Sequence, residues 1–105
     1  TSHAAFQYLG NTYGLRQIAI TGISPDDQPD AKLLAEIANE AKAAGVKTVF
    51  FEDVLPADLS ETVARAIGAT TSLLSALEFT PEGTNDYISM MRDNLANLRA
   101  GLNCR

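Results

Sequence analysis

Residues 31–52, "AKLLAEIANEAKAAGVKTVFFE", hold a helix, a stop and a strand in a single run. Leu33, Leu34, Ile37, Ala38 and Ala41 recur at the three- and four-residue spacing that lines one face of a helix. Gly45 then suits the left-handed position that closes a helix. The six residues after it are apolar and β-branched or aromatic on nearly every second place. A short continuous run of this kind fits a strand in a sheet covered on both faces.

The same unit repeats on either side. Upstream, "AAFQYLGNTYG" (4–14) carries Phe6, Leu9 and Tyr13 at helical spacing, ends on Gly14 and is followed by "LRQIAIT" (15–21). Downstream, "PADLSETVARAIG" (56–68) aligns Leu59, Val63 and Ile67, ends on Gly68 and is followed by "ATTSLLS" (69–75). Pro29 and Pro56 suit the first turns of the helices they open. A last helix, "YISMMRDNLANLRAGL" (87–102), spaces Ile88, Met91, Leu95, Leu98 and Leu102 as a buried face, with methionine as core filler.

The expectation is an α/β three-layer sandwich in the order α-β-α-β-α-β-α. Right-handed crossovers make its sheet parallel. Strands are expected near 15–21, 46–52 and 70–74, and the longest helices near 29–44 and 84–101.

Composition narrows the function. The chain has 105 residues, enough for one domain with a core, 46% of them apolar and 20% charged. A net charge of −5 and eight scattered basic residues leave no stripe for nucleic-acid phosphates. No apolar run approaches the roughly 20 residues that span a bilayer. Cys104 is the one cysteine, so no disulfide closes within these residues and no multi-cysteine zinc site can form. It is an unpaired thiol, or half of a disulfide to a partner elsewhere.

Ligands of open α/β sheets gather beyond the carboxyl ends of the strands. Those ends carry Asp26 and Asp27, then Glu52 and Asp53, then Glu78. The single histidine, His3, precedes the first helical run, where the field of a helix N-terminus favours a neutral ring. A neutral imidazole beside carboxylates is a site for zinc or manganese, or a general base oriented by Glu52 or Glu78. No phosphate-binding glycine loop, dinucleotide fingerprint or nucleophile elbow is present.

Four stretches in register resemble a known family over essentially the whole chain. They are "TSHAAFQYLGNTYGL", "ITGISPDDQPDAKLLAEI", "VKTVFFEDVLPADLSETVARAIGA" and "YISMMRDNLANL". Together they are similar to the C-terminal lobe of the metal-binding substrate-binding proteins of zinc and manganese ABC importers. The resemblance implies two α/β lobes with the metal in the cleft between them, and no enzymatic activity. It implies His3 as a metal ligand of the zinc type, and Glu78 as the carboxylate ligand from this lobe. Manganese-type members carry an aspartate near Ser75, and a proline is usual where Ala76 stands. Glu52 matches a recurrent glutamate that orients the histidine or braces its loop.

The implied function is capture of zinc (alternatively manganese or iron), outside the cytoplasm or anchored to the outer face of the membrane. The ion is then delivered to a membrane permease. The resemblance also implies that residues 1–105 are a fragment. It would lack the N-terminal lobe and the first strand of its own lobe, and would lean on that lobe or another chain. A flavodoxin-like signalling or interaction module is the alternative from another class.

Overall fold

The computed structural model describes residues 1–24, 26–53, 55–78, 83 and 86–104. Its elements run α1 (Gln7–Tyr13), α2 (Ala31–Ala43), β1 (Thr48–Phe51), α3 (Asp58–Ile67), β2 (Thr70–Leu73) and α4 (Tyr87–Gly101). Strands β1 and β2 pair in parallel, Thr48 opposite Thr70 through Phe51 opposite Leu73. The crossover between them is α3, which packs on both.

The helix stops fall where the sequence puts them. Gly45 and Gly68 sit at φ 72° and 70°, and in each case the next amide reaches back into the finished helix. Val46 N–H donates to Ala41 O and Ala69 N–H to Ala64 O, at 3.0 and 2.9 Å. A side chain with a Cβ would strain that left-handed backbone. The starts fall later than Pro29 and Pro56 suggest. Asp30 caps α2 through a 2.8 Å bond from Leu33 N–H, so the proline stands outside the helix and Ala31 is its first residue. Helix α4 begins at Tyr87 behind an Asp86–Ser89 capping box. Residues 84 and 85, included in the expected span, lie outside the described residues.

Neighbouring side chains of a strand point to opposite faces, and β1 uses both. Val49 joins Ile20, Ile37, Val63 and Ala64 in the core cluster shared with α2 and α3. Phe50, also buried, meets α4: a Cβ built on Gly101 would lie 2.6 Å from its ring. The layers are therefore α2 and α3, the sheet, and α4.

Two expectations need correction. Residues 15–21 contribute buried Ile20 and Thr21 but form no strand. Among the described residues their ladder partners are only Thr1 and Ser2. Thr1 N donates to Ile18 O, Ile20 N to Thr1 O and Thr21 N to Ser2 O, at 2.8–3.0 Å. Two residues of pairing do not sustain a strand, so among the described residues the sheet has two strands rather than three.

The second correction concerns α4. Its apolar stripe is not simply a buried face, since Ile88, Leu95 and Leu102 are each about half exposed. The buried residue of this helix is Asn94. Helix α4 docks along a polar edge, through hydrogen bonds to backbone, and leaves much of the stripe uncovered.

Candidate metal centre

His3 lies in the loop between the Thr1–Ser2 stub and α1, and its backbone is fixed from several directions. Its carbonyl accepts from Thr1 Oγ1 at 3.0 Å, from Gln17 Nε2 at 3.1 Å and from Ala5 N at 3.0 Å. Ala4 N–H in turn donates to Gly22 O at 2.9 Å. The ring is 3% exposed as a residue, and four positions separate it from the first residue of α1.

Glu52 follows β1 directly and is 1% exposed. Its Oε1 lies 2.6 Å from His3 Nδ1. An ionised carboxylate only accepts, so Nδ1 is the donor in this bond. Burial pushes the Glu52 carboxyl above its ordinary value, while the hydrogen bond from His3 and its charge pull the other way. The second oxygen, Oε2, is buried without a hydrogen-bond partner among the described residues. A buried carboxylate is costly unless paired, and the imidazole N–H is the pairing it has.

On the other edge of the ring, Nε2 faces Glu78 Oε1 at 3.6 Å. That is too long for a hydrogen bond. Two ligands of a tetrahedral zinc ion, each about 2.0–2.2 Å from the metal, stand roughly 3.4 Å apart. The gap between Nε2 and Oε1 is therefore close to the width that a shared ion spans. The Glu78 side chain is 48% exposed, so it can present either oxygen to an ion arriving from solvent.

Glu78 ends a segment with unusual support. Leaving β2, Leu74 N–H makes a last sheet bond to Phe51 O at 2.8 Å. Ser75 then pairs with a side chain instead of a strand. Its N–H donates to Asn94 Oδ1 and its carbonyl accepts from Asn94 Nδ2, both at 2.8 Å. Ser75 Oγ accepts from Leu77 N at 3.2 Å, and Leu77 takes φ 60°, rare for a residue with a Cβ. Ser75 is buried and engaged in holding the loop.

Of the acids at the strand ends, the structure thus gathers Glu52 and Glu78 around His3. Asp26, Asp27 and Asp53 are exposed. Among the described residues no cluster of three or more His, Cys, Asp or Glu side chains is arranged to hold an ion. Sequence reasoning missed Gln17 and Asn94, whose amides look like ordinary solvated side chains. The one signal for Asn94 is its place beside Met91, Leu95 and Leu98 on the apolar side of α4.

Comparison with known proteins gives the family. The family described as "Zinc-uptake complex component A periplasmic" (ZnuA) matches residues 1–101. The chain is 40% identical to the high-affinity zinc uptake system protein ZnuA of Bacillus subtilis, over 97% of its own length and 33% of that protein. It is 41% identical to the zinc-binding lipoprotein AdcA of Streptococcus pneumoniae, over 94% of its length and 21% of that protein. The chain thus spans at most a third of these two relatives.

Among solved structures, the laminin-binding protein Lbp of Streptococcus pyogenes superposes with a TM-score of 0.88 at 39% identity. That match covers 96% of this chain and 40% of the other. The Zn(II)-bound ZnuA-like domain of Streptococcus pneumoniae AdcA superposes at 0.71 with 38% identity, covering 95% and 39%. With its profile matched almost end to end, the chain belongs to the family of periplasmic A components of zinc-uptake complexes.

Proposed function

We propose that residues 1–105 are the C-terminal lobe of a two-lobed protein that captures zinc outside the cytoplasm and passes it to an ABC importer permease. Zinc is cargo here, and no bond is made or broken beyond its coordination. The observation that carries this reading is the His3 ring, gripped at Nδ1 by buried Glu52 and facing Glu78 across 3.6 Å at Nε2. A histidine held in one tautomer by a carboxylate is a common arrangement behind zinc ligands.

In this reading His3 supplies Nε2, Glu78 supplies a carboxylate oxygen, and the other lobe supplies the rest. A neutral nitrogen donor suits zinc better than manganese, which prefers oxygen. Extracytoplasmic residence, in the periplasm or on a lipid anchor, fits a periplasmic family and a lipoprotein relative, AdcA.

The architecture of the lobe supports its being part of something longer. A groove of about 450 Å³ runs between residues 15–20 and β1, lined by Leu15, Ile18, Ile20, Val49, Phe50 and Leu74, with Thr1 at its margin. It has the place of a central strand. We assign that strand to residues preceding Thr1 in the longer protein, which matches the greater length of the relatives.

Calorimetric titration of the longer protein with zinc tests the reading. His3→Ala should weaken zinc binding at least tenfold while circular dichroism stays unchanged. Glu78→Gln should weaken it less, because water can replace one carboxylate oxygen. Unchanged affinity in His3→Ala would remove His3 from the site and with it this assignment. A parallel titration with manganese separates the two candidate cargoes.

A further inference from the structure

We infer that Asn94 is a positioning residue for the cargo carboxylate: through its paired hydrogen bonds to Ser75 it fixes the arm that holds Glu78 opposite His3. The inference rests on the proposed role of Glu78 and adds a residue on another element to that site.

Three observations converge. Asn94 is the buried residue of α4, on a helix otherwise intermediate or exposed among its described side chains. A polar side chain is buried at little cost only when its donors and acceptors are used. Both ends of this amide are used, on the two backbone groups of a single residue, at 2.8 Å each. That is the pairing a neighbouring strand would have supplied. It begins at the residue after the last sheet bond, where the ladder ends.

From this anchor to Glu78 only three peptide units intervene, and they are not free. Ser75 Oγ accepts from Leu77 N–H, and Leu77 is held at φ 60°. A left-handed leucine persists only where its surroundings over-determine it. The clamp at Ser75 fixes the start of the arm, the turn at Leu77 fixes its direction, and Glu78 Oε1 ends 3.6 Å from His3 Nε2. Asn94 does for Glu78 what Glu52 does for His3. Asn97, one turn on, donates to Leu73 O at 2.9 Å, inside β2 and further from the arm. It offers an internal control on the same helix.

The test is a double-mutant cycle in the longer protein, read by zinc titration against a competing chelator. Asn94→Leu keeps the volume and removes both bonds. It should weaken zinc about as much as Glu78→Gln does, on the order of 10- to 100-fold at most. In the Glu78→Gln background the same substitution should have little further effect, because the arm it positions no longer carries the donor. Asn97→Leu should lower the melting temperature without changing zinc affinity. If Asn94→Leu does not fold, Asn94→Asp, which keeps the acceptor for Ser75 N–H and loses the donor, carries the same cycle.

Equal losses with and without Glu78 would show that Asn94 acts on the fold and not through the carboxylate. An unchanged affinity in the single variant would overturn the inference outright. A silent His3→Ala in the same series would instead overturn the proposed function, so the two failures are distinguishable.

Discussion

At the scale of single residues, the site is a matter of who holds whom. Glu52 gives up solvent entirely to grip one imidazole nitrogen, and burial raises its carboxyl pKa. A carboxyl with a raised folded-state pKa contributes stability that is full below its ordinary value and is lost as pH rises through the raised one. In the metal-free protein, Glu52→Gln should therefore gain stability relative to the parent as pH climbs through that window, measured by thermal melts. The same substitution leaves an amide oxygen for Nδ1–H but removes the charge behind the ring. Zinc affinity should fall about 10- to 100-fold. A variant that lost stability in that window, or kept full affinity, would contradict the account of Glu52. Glu52 and Glu78 were legible as acids at strand ends, and the family resemblance set them beside His3. The grip of Glu52 on the ring was not legible, because only the fold brings together two residues 49 positions apart.

At the scale of elements, what was legible was the stops of α1, α2 and α3, because a left-handed glycine is a local requirement. What was not legible needed a partner. Residues 15–21 have the composition of a strand, yet a strand exists only against a neighbour, and Thr1 and Ser2 are too short a neighbour. The stripe on α4 has the period of a buried face, yet burial depends on a layer to cover it. Two predictions belong here. Gly101 sits where α4 touches the sheet, and an added methyl would press on the buried Phe50 ring and on Thr48 Cγ2, 3.1 Å away. Gly101→Ala should cost about 1–3 kcal/mol of stability through overpacking, in spite of alanine's better helix propensity. Denaturant midpoints would measure it.

The start of α4 gives the second. Hydrogen bonds from Ser89 hold the Asp86 carboxyl below its ordinary pKa. A depressed carboxyl contributes stability above its ordinary value, and that contribution is lost as pH falls through the depressed one. Asp86→Asn, an equally good cap at neutral pH, should remove this part of the acid sensitivity. Melting curves of the two proteins that stay parallel into strong acid would refute it.

At the scale of the molecule, one side of the fold is closed and another is open. Val49, Val63 and Ile37 close the layer under α2 and α3, whereas the groove beside β1 and the stripe Ile88, Leu95, Leu102 remain open to solvent. Exposed apolar stripes and open strand edges favour association. The bare 105 residues should therefore self-associate or melt well below the longer protein, which sedimentation and calorimetry would read. Zinc should raise that low melting point only slightly, since two donors bind weakly and stabilisation grows with ligand concentration over Kd. A soluble, sharply melting monomer would mean that the groove needs no occupant.

The unequal exposure of the two donors has a kinetic consequence. Turning the imidazole would break a 2.6 Å bond and strand a buried carboxylate, which favours a fixed ring. The Glu78 carboxylate, half in water, rearranges on the picosecond-to-nanosecond scale of surface side chains. An ion bound between them would leave by letting go of the carboxylate first and the ring last, with water stepping into the vacated place. Shortening that first grip should quicken escape far more than it slows arrival, so stopped-flow traces of Glu78→Gln should show a shorter residence time and a nearly unchanged association rate.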